Sequence, residues 1–207
     1  MRIGVLAVQG AFAEHEEAFQ RAFDATKREG EVVEVRTAGP VATLDALAIP
    51  GGESTTIAKL MLKTGIHDAV RQRARDEDLP ILGTCAGLIM LAKEGGEQVL
   101  KTGTRLLGLM DMRVDRNAFG RQRESFEAEV RLAFLPRPFH AVFIRAPAIT
   151  SVHGACKELG RLDSQHIIAA REGNRLALAF HPELTGKPEV HSHFLAIVEA
   201  WKQAPQR

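Results

Sequence analysis

Residues 80–87 read Pro80-Ile81-Leu82-Gly83-Thr84-Cys85-Ala86-Gly87, and an apolar stretch continues to Lys93. An apolar strand ending in Gly-x-Cys-x-Gly and passing directly into the helical pattern Ala86–Lys93 has the form of a nucleophile elbow, with cysteine in place of serine. The glycines suit a sharp turn where a side chain would clash. Such a turn lifts the sulfur above the sheet edge. It also sets Cys85 at a helix N-terminus, where the dipole favours thiolate. Thiolate attack on a carbonyl carbon points to acyl transfer. Taken alone, these residues also fit a buried structural cysteine beside packing glycines.

Working outward, Ile3–Val8 is the first predicted strand, followed by a helical pattern from Ala13 to about Lys27. Val32–Arg36 and Leu47–Ile49 are the next strands, the latter ending at Pro50-Gly51-Gly52. Helices are expected from about Ser54 to Leu62 and over His67–Arg75, and strand Ile81–Thr84 feeds the elbow. This alternation implies a parallel sheet with helices on both faces. After residue 107 the pattern changes to short strands with little helix between them: Leu109–Val114, Phe126–Leu132, Val142–Ile144, Ile167–Ala170 and Leu176–Phe180. Glu172-Gly173-Asn174 is a turn signal, so the last two strands are expected to form a hairpin. Pro188–Lys202 reads as a closing helix that buries Val190, Phe194, Leu195, Val198 and Trp201. No repeat or low-complexity linker interrupts the chain, so one mixed-sheet domain is the simplest organisation.

The 207 residues suffice for one α/β domain with a substantial core. With 27 Lys and Arg against 26 Asp and Glu, no basic excess argues for nucleic acid or an anionic membrane. No run reaches membrane-spanning length, and the apolar start Met1–Val8 is too short for a signal sequence. Two distant cysteines suggest neither a disulfide framework nor a zinc site, and a free thiol fits a reducing cytoplasm.

A cysteine nucleophile needs a base that takes its proton and returns it to a leaving group. His181, after the strand Leu176–Phe180, emerges at the sheet edge. Pro182 keeps His181 extended, and residues two apart in an extended chain point to one side. Glu183 is therefore expected to reach the ring and hold its tautomer. The segment Pro50–Thr56 follows a strand and opens a helix, and its glycines let backbone N–H groups approach a ligand. The Gly52 and Ala86 N–H groups are candidates for an oxyanion hole, and Ser54 or Thr55 for the helix cap.

In this order, Gly51-Gly52-Glu53-Ser54, Gly83–Gly87 and His181-Pro182-Glu183 resemble the class I, triad-type glutamine amidotransferases. Val8-Gln9-Gly10, Arg116–Gln122, Ser125-Phe126-Glu127, Val142–Pro147 and Phe180–Thr185 narrow the likeness to the glutaminase subunits of two-component pyridoxal 5′-phosphate synthases. The resemblance implies an α/β, flavodoxin-like fold: a three-layer, mixed, largely parallel sheet flanked by helices, as a single domain over residues 1–207. It implies hydrolysis of L-glutamine to glutamate and ammonia. The ammonia would pass to a (β/α)₈-barrel synthase subunit within a hetero-oligomer, in the cytoplasm, with no metal or organic cofactor for the hydrolysis. It assigns Cys85 as nucleophile, His181 as base and acid, and Glu183 as orienting carboxylate. Gly52, Glu53, Ser54, Arg116, Ile144 and Arg145 match glutamine-binding positions, and Gln9 lies in a segment tied to the oxyanion loop and partner interface. Guanidinium groups at Arg116 and Arg145 suit the substrate α-carboxylate, and Glu53 its ammonium. The stretch Glu94–Arg105 is longer than is usual for these relatives.

Other polar residues have plainer expected roles. His191 and His193 point in different directions on a helix, which makes them poor metal partners. His15, among Glu14, Glu16 and Glu17, is expected at the surface, as is the run Arg71, Arg73 and Arg75. His153 near Cys156 lacks an elbow or carboxylate to support it as a second reactive pair. A stand-alone cysteine amidase or peptidase of the same fold, and a catalytically idle regulatory subunit, are the rival functions. Because an unpartnered glutaminase would waste substrate, the Gly51–Gly52 segment is expected to reorient on docking.

Overall fold

A computed structural model describes residues 1–116, 118 and 125–204. The chain builds a ten-stranded sheet with a parallel half and a mostly antiparallel half. The parallel half has β2 (Glu31–Val35) at its edge, then β1 (Arg2–Leu6), β3 (Ala46–Ile49), β4 (Ile81–Thr84) and β12 (Arg175–Leu178), every neighbouring pair parallel. This order begins 2-1-3-4, as in flavodoxin-like sheets. Strands β3 and β4 are buried at every position, the continuous apolar pattern of strands covered on both faces. Two groups of helices supply the cover. Helix α1 (Phe12–Thr26) packs on α6 (Glu189–Gln203), and α2 (Ser54–Lys63) packs on α3 (Ile66–Asp76) and α4 (Ala86–Leu91).

From β12 the sheet continues antiparallel through β11 (Ile167–Glu172) and β9 (Ala148–Val152) to β6 (Met110–Asp115), with β5 (Ala92–Gly95) parallel at the far edge. Strand β10 (Lys157–Arg161) pairs with β11 off this path. The expected hairpin is present as β11–β12. A separate antiparallel ribbon joins β7 (Ser125–Val130) to β8 (Phe139–Ile144). Among the described residues, no helix is long and apolar enough to cross a membrane.

Several elements differ from the sequence expectation. The helix after Cys85 stops at Leu91, because Ala92 turns extended and pairs with Met110. Tertiary pairing thus ends a run that local propensity would continue. Strands β9 and β10 and the short helix α5 (Glu97–Thr102) were not legible; β10, Lys-Glu-Leu-Gly-Arg, carries no β-branched or aromatic residue and owes its form to pairing with β11. Within Glu94–Arg105 the chain completes β5, forms α5 and leaves as coil.

The fold positions the site through one register. Thr84 pairs with Leu178 in parallel, so Cys85 and the chain beyond β12 leave the same end of the sheet. The loops after β1 and β3 open at that end too. Helix α4 lies so close to the sheet that a Cβ on Gly87 would sit 2.0 Å from the Ile49 carbonyl oxygen. A Cβ on Gly83 would in turn lie 2.6 Å from the Gly87 backbone. Gly87→Ala is expected to destabilise the chain by about 3 kcal/mol, the upper end for overpacking against rigid backbone. Chemical denaturation of both proteins checks this.

Candidate active site

Cys85 is both the end of a strand and the start of a helix. Its N–H donates to Leu178 O at 2.8 Å, continuing the β4–β12 ladder, while its own carbonyl accepts the Ile89 N–H at 3.3 Å in α4. Satisfying both forces φ to 50° and ψ to −102°, a strained conformation costing about 1–3 kcal/mol. The side chain is 7 % exposed. Its thiol points to the Ile144 carbonyl at 3.8 Å, a contact supplied by the end of β8.

His181 is anchored by the same ribbon, its N–H donating to Val142 O at 2.8 Å. Its Nδ1 lies 2.7 Å from Glu183 Oε1, a buried pair. The two side chains meet as expected, but by a different route. Residues Pro182–Thr185 form a single 3₁₀ turn rather than an extended run, with Pro182 at its first position, where fixed φ and a missing N–H are tolerated. Nε2 of His181 has no conventional hydrogen-bond partner among the described residues. Burial works against the imidazolium, but Cys85 and Glu183, through hydrogen bonding and charge, push its pKa up to about 10. Burial likewise disfavours the Glu183 carboxylate, and His15 and His181 outweigh it, holding the group below its usual range.

The β3–α2 loop closes over this pair. A Cβ on Gly51 would lie 2.3 Å from His181 Cε1 and 3.3 Å from Cys85 Cβ, so only glycine fits. The Gly51 carbonyl accepts the Ala11 N–H at 3.1 Å, and Gly10, at φ 107°, brings the β1–α1 loop against it. Gln9 Oε1 accepts the Glu53 N–H at 2.9 Å and covers Gly52. Ala86, the first residue of α4, has an N–H with no partner inside the helix.

Glu53, not Ser54 or Thr55, caps α2, accepting the Thr56 N–H at 2.8 Å. Its other oxygen pairs with Arg116, whose Nη1 donates to Thr55 Oγ1 at 3.1 Å. Burial disfavours the Glu53 carboxylate, but the Thr56 N–H and Arg116 hold its pKa low. In this structure Glu53 and Arg116 therefore neutralise one another. Ser54 is 1 % exposed, and its hydroxyl has no partner among the described residues. Ile144 is 38 % exposed, and Arg145 follows it, exposed, at φ 44°. Asn117, Phe119, Gly120, Arg121 and Gln122 lie outside the described residues.

His15 overturns its expected surface place. It is 0 % exposed, with Nε2 2.9 Å from Thr84 Oγ1 and Nδ1 3.1 Å from His191 Nε2. The missed signal was helical spacing: His15 shares the buried stripe of α1 with Ala18, Phe19, Ala22 and Phe23. Arg73 also leaves the expected solvated face, donating to the carbonyls of Val41 and Leu44. Burial and the carboxylates of Glu172 and Asp111 push the Cys156 thiol up to about 12, consistent with an unreactive role.

The sequence model of the SNO glutamine amidotransferase family matches residues 5–200. A Methanosarcina mazei protein named pyridoxal 5′-phosphate synthase subunit PdxT is 53 % identical over 195 residues, covering 94 % of this chain and 97 % of that one. An Archaeoglobus fulgidus protein of the same name is 50 % identical over 199 residues, covering 96 % and 99 %. A crystal structure described as a glutamine amidotransferase superposes with a TM-score of 0.85 at 44 % identity, covering 95 % of this chain and 98 % of its own. A glutamine amidotransferase from Thermotoga maritima, at 14 % identity and a TM-score of 0.62, shares the fold.

His181 carries a sharp test of this electrostatic picture. Its pKa lies above the ordinary 6.5, so its contribution to folded stability is complete below about pH 6.5 and fades as pH rises through about 10. Glu183→Gln removes the charge that favours the imidazolium. The His181 Cε1–H resonance, titrated by NMR, is expected to show a pKa well above 6.5 in the unaltered chain and a clearly lower one in the variant.

Proposed function

The chain belongs to the SNO glutamine amidotransferase family, and we infer that it is the glutaminase subunit of a pyridoxal 5′-phosphate synthase. In this reading residues 1–207 form one glutaminase domain. It works in the cytoplasm and passes ammonia to a (β/α)₈-barrel synthase subunit within a hetero-oligomer. The relatives at half identity over nearly their whole length bear the name of that subunit.

The observation that carries the chemistry is the meeting of Cys85, His181 and Glu183, delivered by the ends of two adjacent parallel strands. The Cys85 thiolate attacks the side-chain amide carbon of L-glutamine. The resulting oxyanion is met by the N–H groups of Gly52 and Ala86. His181, protonated and oriented by Glu183, gives its Nε2 proton to the departing nitrogen, and ammonia leaves. A γ-glutamyl thioester remains on Cys85. Water attacks the thioester as His181 takes its proton, releasing glutamate and restoring the thiolate.

Gly52, Glu53, Ser54, Arg116, Ile144 and Arg145 line the substrate's binding end. Since Glu53 and Arg116 are already paired, binding exchanges that pair for the substrate's ammonium and carboxylate. The Gly51–Gly52 segment is the gate: its backbone is tied to Ala11, and Gln9 links it to the β1–α1 loop, so a synthase docking on that loop can turn it.

Glutamate release from L-glutamine, measured for the chain alone and with its synthase subunit, tests the reading. Release stimulated by the synthase is the expected result. Cys85→Ala is expected to lower it by roughly 10⁴-fold or more, while ammonium salt supplied to the complex still supports pyridoxal 5′-phosphate formation. No glutamate under either condition overturns the reading. Equal release in both removes the gate and keeps the glutaminase.

A further inference from the structure

Beyond Glu183 the buried polar chain continues. The Glu183 carboxylate is 3 % exposed, and only one of its oxygens, Oε1, takes the His181 N–H. The other, Oε2, has no hydrogen-bond partner among the described residues. Nε2 of His15 stands 3.5 Å from it. That same nitrogen is 2.9 Å from Thr84 Oγ1, and the opposite ring nitrogen is 3.1 Å from His191 Nε2. His191 is fully buried, and its Nδ1 has no partner among the described residues. One imidazole therefore links α1 to α6, to the turn that carries Glu183, and to the last residue of the strand that carries Cys85.

Two neutral tautomer arrangements satisfy the His15–His191 contact, and they are not equivalent. If His15 carries its proton on Nδ1, it donates to His191, and the His191 Nδ1–H becomes a buried donor with no acceptor. The His15 Nε2 lone pair can then accept from the Thr84 hydroxyl, but it also faces a carboxylate. If His15 carries its proton on Nε2, an N–H faces the carboxylate and Thr84. His15 Nδ1 then accepts from His191 Nε2–H, and the unpartnered atom is only a lone pair. Buried donors left unpaired and lone pairs opposing an anion are both costly, so the second arrangement is favoured.

We propose that His15 is a positioning residue for glutamine hydrolysis: its Nε2–H, fixed by His191, bonds Thr84 Oγ1 and turns its positive end toward the second oxygen of Glu183, 3.5 Å away, which it helps to hold in line with His181. This rests on the glutaminase reading above. The titratable and charged groups around His15 are Glu14 and Arg21 on its own helix, Glu183 and His181 from the chain after β12, and His191 on α6. Arg21 donates to the Glu183 carbonyl at 3.4 Å, not to its carboxylate. Burial lowers the pKa of His15, and that of His191 to about 3, so both rings stay neutral and His181 remains the one imidazolium in the layer.

The test has two arms. In the unaltered chain, long-range ¹⁵N imidazole correlation spectra at neutral pH are expected to show His15 as the Nε2–H tautomer; the Nδ1–H tautomer or a charged ring overturns the proposal. In the chain assayed with its synthase, His15→Leu is expected to lower kcat about 10-fold with KM little changed, since His15 touches no substrate and acts only through the orientation of Glu183. Its acid limb should move to higher pH, because Glu183 loses the facing N–H dipole that favours its charged form. His15→Gln, which keeps an N–H at this reach, is expected to recover most of the rate and the original limb. Equal losses in both variants with an unmoved acid limb mean packing alone and overturn the proposal, as does full activity in His15→Leu. If His15→Leu does not fold, the tautomer decides. If the unaltered chain releases no glutamate, the glutaminase reading has failed, a result separable from the tautomer of His15.

Discussion

The double duty of Cys85 constrains everything around it. One residue completes the β4–β12 ladder through its N–H and starts α4 through its carbonyl. The backbone has no relaxed conformation that does both, hence φ 50° and ψ −102°. Relaxing that turn would swing the sulfur off the sheet edge and release α4 from β3. The surrounding packing prevents this: Gly83 and Gly87 leave no space for a Cβ between helix and sheet, and all six residues of α4 are buried. The strain is local, and the buried apolar layer that opposes it is shared by the whole domain.

The second organising feature is where the loops open. In a sheet ordered 2-1-3-4, the chain reverses direction of winding between β1 and β3, and the loops after those strands part to leave a crevice at their carboxyl ends. Here the crevice is held at a defined width by backbone contact between Gly10 and Gly51 and by Gln9 reaching Glu53. Cys85, after the neighbouring strand, and His181, after the next, border it. Active-site precision therefore comes from strand register, while the loop that packs on both residues is made of glycines.

Burial then sorts three histidines, His15, His181 and His191, that share the same intrinsic chemistry. All lose solvation, which disfavours the charged ring. His181 gains a carboxylate and a sulfur as neighbours, and the balance tips to the imidazolium. Among the described residues His191 has only another imidazole at hydrogen-bond distance, and His15 stands a little farther from Glu183, so desolvation wins for both. A proton donor beside the sulfur and neutral rings behind it follow from which atoms face each ring: the Cys85 sulfur and the Glu183 carboxylate for His181, an imidazole for His191, and a carboxylate oxygen 3.5 Å away for His15.

The sequence by itself determined the elements whose signals are local. The elbow is written in Gly83–Gly87, because only glycines leave room for α4 to pack against the strands. The parallel half is written in continuous apolar strands alternating with amphipathic helices, and the base and its carboxylate in His181-Pro182-Glu183. The family likeness rests on motifs of the same local kind. Tertiary structure alone decided what depends on partners distant in the chain. It ended the post-elbow helix at Leu91 by pairing Ala92 with Met110, and made a strand of Lys157–Arg161 against β11. It turned Glu53 and Arg116, 63 residues apart, into a pair, and it drew His15 inward to meet His191, 176 residues away. A charge or a ring declares its chemistry in sequence, but its protonation and its role are set by desolvation and by the atoms facing it, and those exist only once the chain has packed.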